Sequence, residues 1–440
     1  MSDYLAFPPV REARGSVRVP ASKSATNRAM LLAALGDEAV EIVRPLESED
    51  VAAISRCLSA MGASISRTAE AVRVRGPLNS RGAERVVLDA GESGTAARLL
   101  TAVAAAVPGR FTLTGSDRLR ERPVGDLVAA LRGAGARISC SGADGFLPLE
   151  IEGGTLSPGA SIRVAAARSG QFLSALMIAG AARDGGLVAS ASGAIASVPY
   201  VRLTAAMLRE FGHSVEESGG AFRVARGHTA ISRYEPAGDW SSAVPMLAAA
   251  AVAGGMVRVD GVAWPSRDAD AAAAGVLESM GVSISAAGGG VAASAGRGAL
   301  RAVSVSAADF PDAVPALAAC AAFARGESRF SGIGHLRIKE SDRIDALVAI
   351  LNEAGAQAAG EPDALIVHGG APAAPAAARR LRTRNDHRIA MAAGLLALAV
   401  PDVLIENPGC VAKSYPAFWR DLDSLAVRTP AGAGRAEAKA

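Results

Sequence analysis

The feature that most constrains this chain is an internal repeat. Six stretches begin with small polar residues and run into an Ala/Leu-rich helical pattern: Ser22-Lys-Ser-Ala-Thr-Asn-Arg, Ser93-Gly-Thr-Ala-Ala-Arg, Ser169-Gly-Gln-Phe, Asp239-Trp-Ser-Ser, Asp309-Phe-Pro-Asp and Asn385-Asp-His-Arg. Their starts lie 70 to 76 residues apart. A second marker keeps the same register. Amphipathic helices end at Gly62, Gly135, Gly212, Gly281 and Gly355, the residue type that caps a helix in the left-handed conformation. Between the helices of each unit sits a short strand-like run: Ala39–Val43, Arg110–Thr114, Leu187–Ser190, Met256–Val259, Ser328–Ser331 and Val403–Glu406. Alternating pairs follow the second helix, such as Ser64–Ile65 with Ala71–Val74 and Ser283–Ile284 with Val291–Ala292. The unit therefore reads helix, strand, helix, strand pair.

Six units of this size fill the 440 residues, and the period is too long for an ordinary solenoid. Packing three by three into two lobes is the natural arrangement. The expected lobes are residues 21–236, carrying repeats one to three, and residues 1–20 with 237–428, carrying repeats four to six. The segment before Pro20 pairs into the second lobe, so the chain crosses between lobes twice. Residues 429–440 read as a flexible tail and Gly369–Ala378 as a surface loop.

Composition narrows the function classes. A net charge of +3, from 46 basic and 43 acidic residues, lacks the basic excess of a nucleic-acid binder. Mean hydropathy is +0.25, but the apolar run Ile389 to Val400 stops at Pro401, short of the roughly 20 residues a membrane span needs. No secretory signal is legible at the start. Cys57, Cys140, Cys320 and Cys410 are scattered without metal spacing and read as reduced thiols, so a cytoplasmic protein is expected. No clustered His/Cys pattern suggests a metal. Nor is there a GxxxxGK[ST] loop or a GxGxxG following a strand.

The helix openings carry cations. Lys23, Arg28, Arg98, Arg168 and Arg388 lie in the first helices, and Lys339 and Arg343 open a second one. Small polar residues there would serve as N-caps in any protein. Adding arginines beside the free N–H groups of a helix start makes a site for phosphate or carboxylate. With the whole chain near neutral, that positive charge is local, as a small polyanionic substrate requires.

At these same residues the sequence resembles the 5-enolpyruvylshikimate-3-phosphate synthases (3-phosphoshikimate 1-carboxyvinyltransferases), an enolpyruvyl transferase family. The likeness runs in order to about Val427. It rests on Pro20-Ala-Ser-Lys-Ser-Ala-Thr-Asn-Arg28, Ser93-Gly-Thr-Ala-Ala-Arg98, Leu119-Arg-Glu-Arg-Pro123, Ser169-Gly-Gln-Phe172, Ser197-Val-Pro-Tyr200, Phe310-Pro-Asp312, Arg337-Ile-Lys-Glu-Ser-Asp-Arg343, Asn385-Asp-His-Arg388 and Ala412-Lys413. The resemblance implies an α/β (α+β) fold of two lobes, each of three βαβαββ units in an inside-out α/β-barrel-like arrangement, with the active site in the cleft between them. It implies addition of the 5-hydroxyl of shikimate 3-phosphate to C2 of phosphoenolpyruvate, then elimination of phosphate, without metal or organic cofactor. The expected partners are these two small molecules alone, with no nucleic acid and no membrane, and the protein is expected as a monomer.

Carried over residue by residue, Lys23 touches both substrates. Ser24 and Arg28 bind shikimate 3-phosphate, Ser169, Gln171 and Ser197 hold its phosphate with Tyr200 nearby, and Asp312, His335 and Lys339 face its hydroxyls. Gly94, Arg122, Gln171, Arg343, Arg388 and Lys413 bind phosphoenolpyruvate. Asp312 is the expected base, Glu340 the proton donor to C3, and His387 assists. Against these roles stand plainer ones: Glu340 as a helix-start carboxylate and Asp312 as a cap or first-turn residue.

The sequence departs from the family pattern at several positions. Glu92 stands where Asn is common, Leu99 where Pro is frequent, Gly170 where a second Ser is common, His335 where Asn is frequent, and Asp268 where Gln is usual. These leave sensitivity to the phosphonate glyphosate open. The departures at Glu92, Gly170 and His335 also leave a second reading, a paralogue acting on another phosphorylated cyclitol or hydroxy acid. Three further readings fit less well. The sister enzymes acting on a UDP-amino sugar carry a Lys–Asn pair and a loop cysteine not matched here. An RNA-processing protein of similar repeats needs aromatic, basic surface, and only 4% of residues are aromatic. A catalytically dead regulator would have lost Lys23, Asp312 or Glu340.

Overall fold

A computed structural model of the chain describes residues 3–78, 84–266, 268–370 and 378–428. The tail expected at 429–440 and most of the loop expected at 369–378 lie outside the described residues. The chain separates into two compact units, Ala21–Ala237 and Met1–Pro20 with Gly238–Ala440.

In the unit Ala21–Ala237, three helices form the core: Lys23–Leu35, Gly94–Ala106 and Gln171–Ala182. Beyond their first residues they are buried almost throughout. A helix that is apolar on every side must be enclosed, and the runs of alanine let these helices approach closely. Three four-stranded sheets surround them, all with one pattern. In the first, Val40–Val43 pairs parallel with Arg233–Tyr234 and antiparallel with Ala71–Arg75, which pairs antiparallel with Ser64–Arg67. The sheets built on Gly109–Thr114 and on Leu187–Ser192 repeat it. The first sheet thus takes its parallel edge strand from the end of the unit, which closes the set of three.

In the other unit, the buried helices are Trp240–Ala253, Val314–Ala321 and His387–Ala397. The sheet on Gly326–Ser331 follows the common pattern. In the sheet on Gly255–Asp260, the parallel strand is Glu12–Arg18, which also takes Ala426–Val427 on its far side. The sixth repeat departs from the expected unit. Val403–Glu406 pairs parallel with Arg379–Leu381, but its antiparallel partner is Tyr4–Ala6 from the chain start, not a strand pair following a second helix.

The glycines that mark the repeat do what their spacing predicts. Gly62, Gly135, Gly212, Gly281 and Gly355 have φ between +90° and +103°, a conformation that β-carbons disfavour. The expectation of a polar cap on every core helix needs correction. Ser22, Ser93 and Asp386 accept hydrogen bonds from backbone N–H groups of their helices. Ser169, one residue before Gly170, accepts the Gln171 N–H, whereas Asp239 and Ala313 make no such bond. Before Val314 the chain makes a 3₁₀ turn, Pro311–Ala313, so Asp309 lies too far upstream to cap the helix.

Among the described residues, no helix is long and apolar enough to cross a membrane. Among the described residues the cysteines Cys57, Cys140, Cys320 and Cys410 form no disulfide.

Candidate active site

Each unit gathers a share of the expected site residues at the starts of its core helices. In the unit Ala21–Ala237, Lys23 is the first residue of its helix, and its Nζ lies 3.1 Å from Asp50 Oδ2. Both side chains are largely buried, at 14% and 4% exposure. One turn on, Arg28 is buried among polar groups. Its Nε donates to Thr204 Oγ1 at 2.7 Å and its Nη1 to the Ser24 carbonyl at 3.0 Å, while Nη2 has no hydrogen-bond partner. Thr204 in turn bonds Ser174 Oγ at 3.0 Å. Burial lowers the Arg28 pKa to about 10, partly offset by Tyr200 and Tyr234, so the guanidinium stays charged at neutral pH.

Gln171 links the second and third helices. Its Oε1 accepts from Arg98 Nη1 at 2.8 Å, and its Nε2 donates to Thr95 Oγ1 at 3.0 Å. Ser169 Oγ accepts the Gln171 N–H at 3.3 Å. The guanidinium of Arg122 lies against Gly94: a β-carbon there would stand 2.7 Å from Arg122 Nη1. Ser197 precedes the helix Val198–Glu210 with φ +56°, a strained setting for a non-glycine residue and a frequent mark of functional positions. Arg168 is not drawn into this group; it is exposed and lies 3.8 Å from Asp126.

In the other unit, the centre is Arg343, which is 1% exposed and meets three carboxylates. Its Nη1 bonds Asp312 Oδ1 at 2.8 Å, Nη2 bonds Glu340 Oε2 at 3.0 Å, and Nε bonds Asp386 Oδ2 at 2.8 Å. Asp386 also accepts from Ser341 Oγ at 3.0 Å and from the Arg388 N–H at 2.9 Å, so one buried carboxylate orients Arg343 and caps the helix His387–Ala397. Arg388 is held through the carbonyl of Ser241 at 2.6 Å and through the Ser241 hydroxyl, which itself donates to Asp239. Arg388 Nη2 lies 3.7 Å from Asp312 Oδ2, and Lys413 Nζ lies 3.7 Å from Glu340 Oε1.

The charges in this cluster tune one another. Burial opposes the charge on Asp312, but Arg343, Arg388 and Lys339 outweigh it and hold the carboxyl far below the usual range, with Glu340 pushing upward. For Arg343, burial opposes the charge, yet Asp386, Glu340 and Asp312 together raise its pKa. Burial and Lys339 bring His335 down to about 4, against upward pulls from Asp312 and Asp363, so its imidazole is neutral at pH 7.

Two expectations change in detail. Lys339 and Glu340 stand before the helix Arg343–Glu353, which Asp342 caps, so Glu340 is not a helix-start carboxylate. Asp312 lies in the 3₁₀ turn, outside the α-helix. The departure at Gly170 has a steric cause: a β-carbon there would lie 2.3 Å from the Ala196 carbonyl oxygen. Leu99 is fully buried, whereas Glu92 is exposed just before the Ser93 cap. Burial and Asp239 raise Asp268 to about 6, against a backbone hydrogen bond from Asp270.

Reading the sequence alone passed over several supporting residues. Asp386 and Thr95 lay inside quoted motifs, and Arg98, already read as a helix-opening cation, was not given its partner Gln171. Ser241 lay inside the quoted opening Asp239-Trp-Ser-Ser, while Asp50 and Thr204 carried no local signal, because their partners are brought to them only by folding.

These are the features of an anion-handling transferase of internally repeated α/β architecture. The model of the family "EPSP synthase (3-phosphoshikimate 1-carboxyvinyltransferase)" matches residues 9–422, and the chain belongs to that family. The 3-phosphoshikimate 1-carboxyvinyltransferase of Syntrophobacter fumaroxidans is 40% identical over 422 residues, covering 95% of this chain and 98% of that protein. The one from Methanopyrus kandleri is 38% identical, covering 95% and 97%. Among solved structures, the EPSP synthase of Acinetobacter baumannii superposes with a TM-score of 0.76 at 26% identity, covering 97% of this chain and 98% of that one. The enolpyruvyl transferase NikO of Streptomyces tendae shares the fold, with a TM-score of 0.76 at 21% identity and coverage of 96% and 97%.

Proposed function

We propose that this chain transfers the enolpyruvyl group of phosphoenolpyruvate to the 5-hydroxyl of shikimate 3-phosphate, releasing phosphate. The observation that carries the reading is the buried cluster in which Arg343 meets Asp312, Glu340 and Asp386 beside Arg388 and Lys413. Besides Lys23, four cations are assigned to phosphoenolpyruvate: Arg122, Arg343, Arg388 and Lys413, with Gly94 giving the room that Arg122 occupies and Gln171 adding a polar contact. Shikimate 3-phosphate is assigned to Ser24, Arg28, Ser169, Gln171, Ser197 and Tyr200, with Asp312, His335 and Lys339 toward its hydroxyls. Lys23 serves both. The unpartnered Nη2 of buried Arg28 supports this assignment, because a buried donor without an acceptor is costly unless a ligand supplies one.

Asp312 takes the proton of the 5-hydroxyl as its oxygen attacks C2, and Glu340, protonated once the substrate anions take over Arg343 and Lys413, delivers that proton to C3. C3 then returns a proton to the Glu340 carboxylate as the C2–O bond to phosphate breaks, which regenerates the double bond. His387 assists these transfers. Without substrate, Asp312 and Glu340 are themselves counterions of the cluster, and Asp312 is a weak base. When the phosphoenolpyruvate carboxylate and phosphate share Arg343 and Arg388, less positive charge bears on Asp312 and its basicity rises. Substrate binding thereby prepares the base. The same reading makes the protein a cytoplasmic monomer. Four cysteines outside any disulfide suit a reducing compartment, and light scattering of the purified protein checks the monomer.

The test is phosphate release from shikimate 3-phosphate and phosphoenolpyruvate in the presence of EDTA. Release should require both substrates and vanish in Lys23→Met. A folded protein that releases nothing overturns the assignment and favours a paralogue with another phosphorylated acceptor.

A further inference from the structure

The three core helices of the unit Ala21–Ala237 end together, and their C-terminal residues Leu35, Ala106 and Ala182 border one cavity of about 200 Å³. The site residues of this unit described above lie at or near the opposite, N-terminal ends. Apart from those three residues, the walls are apolar at Leu78, Val107 and Pro108 and charged at Arg183, Asp184 and Arg226. Cations at helix C-termini compensate the carbonyl ends, and that alone would account for two arginines. It does not account for their spare capacity. The Nε of Arg183 is buried with no hydrogen-bond partner. Arg226 reaches the Leu35 carbonyl only at 3.5 Å and Asp184 only at 3.6 Å. Asp184 and Arg226 also border a wider, open hollow, which gives the cavity a route to solvent.

We propose that this cavity binds a small organic monocarboxylate with a compact apolar body. Two guanidinium groups against one carboxylate leave one net positive charge, which matches a monoanion. A planar guanidinium pairs with a carboxylate through two parallel hydrogen bonds. The apolar walls take the remainder of the ligand out of water. The phosphate-bearing substrates of the proposed reaction carry more charge and no comparable apolar surface, so the site is separate from theirs and does not rest on that reading.

Benzoate is the probe, with acetate and inorganic phosphate as controls, followed by titration calorimetry and ligand-observed NMR on the full chain. A ligand of this size at typical efficiency gives a Kd between about 0.1 and 10 mM. Acetate and phosphate should bind at least about tenfold more weakly, because neither fills the apolar walls. Saturating shikimate 3-phosphate with phosphoenolpyruvate should not displace benzoate. Arg183→Gln and Arg226→Gln should each weaken benzoate by about tenfold, the loss of a charge-assisted pair, and leave turnover and the far-UV spectrum unchanged. Four results overturn the proposal: no saturable benzoate binding, displacement by the phosphorylated substrates, equal binding of phosphate, or unchanged affinity in both folded variants.

Discussion

Asp386 is the residue whose removal tests the reasoning most directly. It is fully buried and receives four hydrogen bonds, two of them from Arg343 at 2.8 and 3.3 Å. In Asp386→Ala, the guanidinium stays buried but keeps only Asp312 and Glu340, and the following helix loses its cap. Removing one partner of a buried ion pair costs about 3–5 kcal/mol, and a lost cap about 1 kcal/mol, in part the same contacts. A total of about 3–5 kcal/mol is expected. For a cooperative unit of this size it lowers Tm by roughly 6–20 °C. Asp386→Asn keeps the shape and one acceptor oxygen, so about half the loss is expected. Both variants should raise KM for phosphoenolpyruvate more than they lower kcat, because Arg343 is pulled toward Asp312 and Glu340. Urea unfolding followed by circular dichroism gives the first quantity and phosphate-release kinetics the second. Stabilities of both variants within about 1 kcal/mol of the parent, where surface changes usually fall, would refute the idea that Asp386 anchors the cluster.

Other expectations follow from single contacts. Gly170→Ser should destabilise by about 1–3 kcal/mol, since its β-carbon must displace the Ala196 carbonyl; a unit-stabilising result in urea unfolding would contradict the steric account. His213 and His335 both have folded pKa values near 4, below the ordinary 6.5, chiefly through burial. The unfolded chain therefore binds more protons between those values, and stability should fall as pH drops from about 6.5 to 4 and be flat for these groups above it. Replacing both by Gln should flatten that slope in pH-dependent unfolding. Asp50→Asn removes the ion partner of Lys23, and kcat/KM should fall about tenfold or more, with a loss of stability as well because the pair is largely buried. An unchanged kcat/KM would mean that Asp50 does not position Lys23.

The repeat was legible because it is written in local chemistry. A left-handed glycine, a run of buried alanines and a strand of alternating residues each report on their own few neighbours. Their register survives without knowledge of the fold. The sixth repeat was misread for the converse reason: Tyr4–Ala6 completes it from some four hundred residues away, and no local pattern announces that pairing. The same division runs through the site. Arg28, Arg343 and Arg388 stand out as cations beside helix starts, yet what holds each one is remote: Thr204 for Arg28, Asp312 and Asp386 for Arg343, Ser241 for Arg388. A cation can be read from sequence as a binder, but its counterion in the substrate-free protein cannot. That counterion decides the chemistry. Asp312 reads in isolation as a ready base. Surrounded by Arg343, Arg388 and Lys339 it is a firmly ionised acceptor, whose basicity depends on where those cations go next. A protein that must hold two polyanions needs positive charge it can keep buried when they are absent, and carboxylates that later take part in proton transfer can supply that neutralisation.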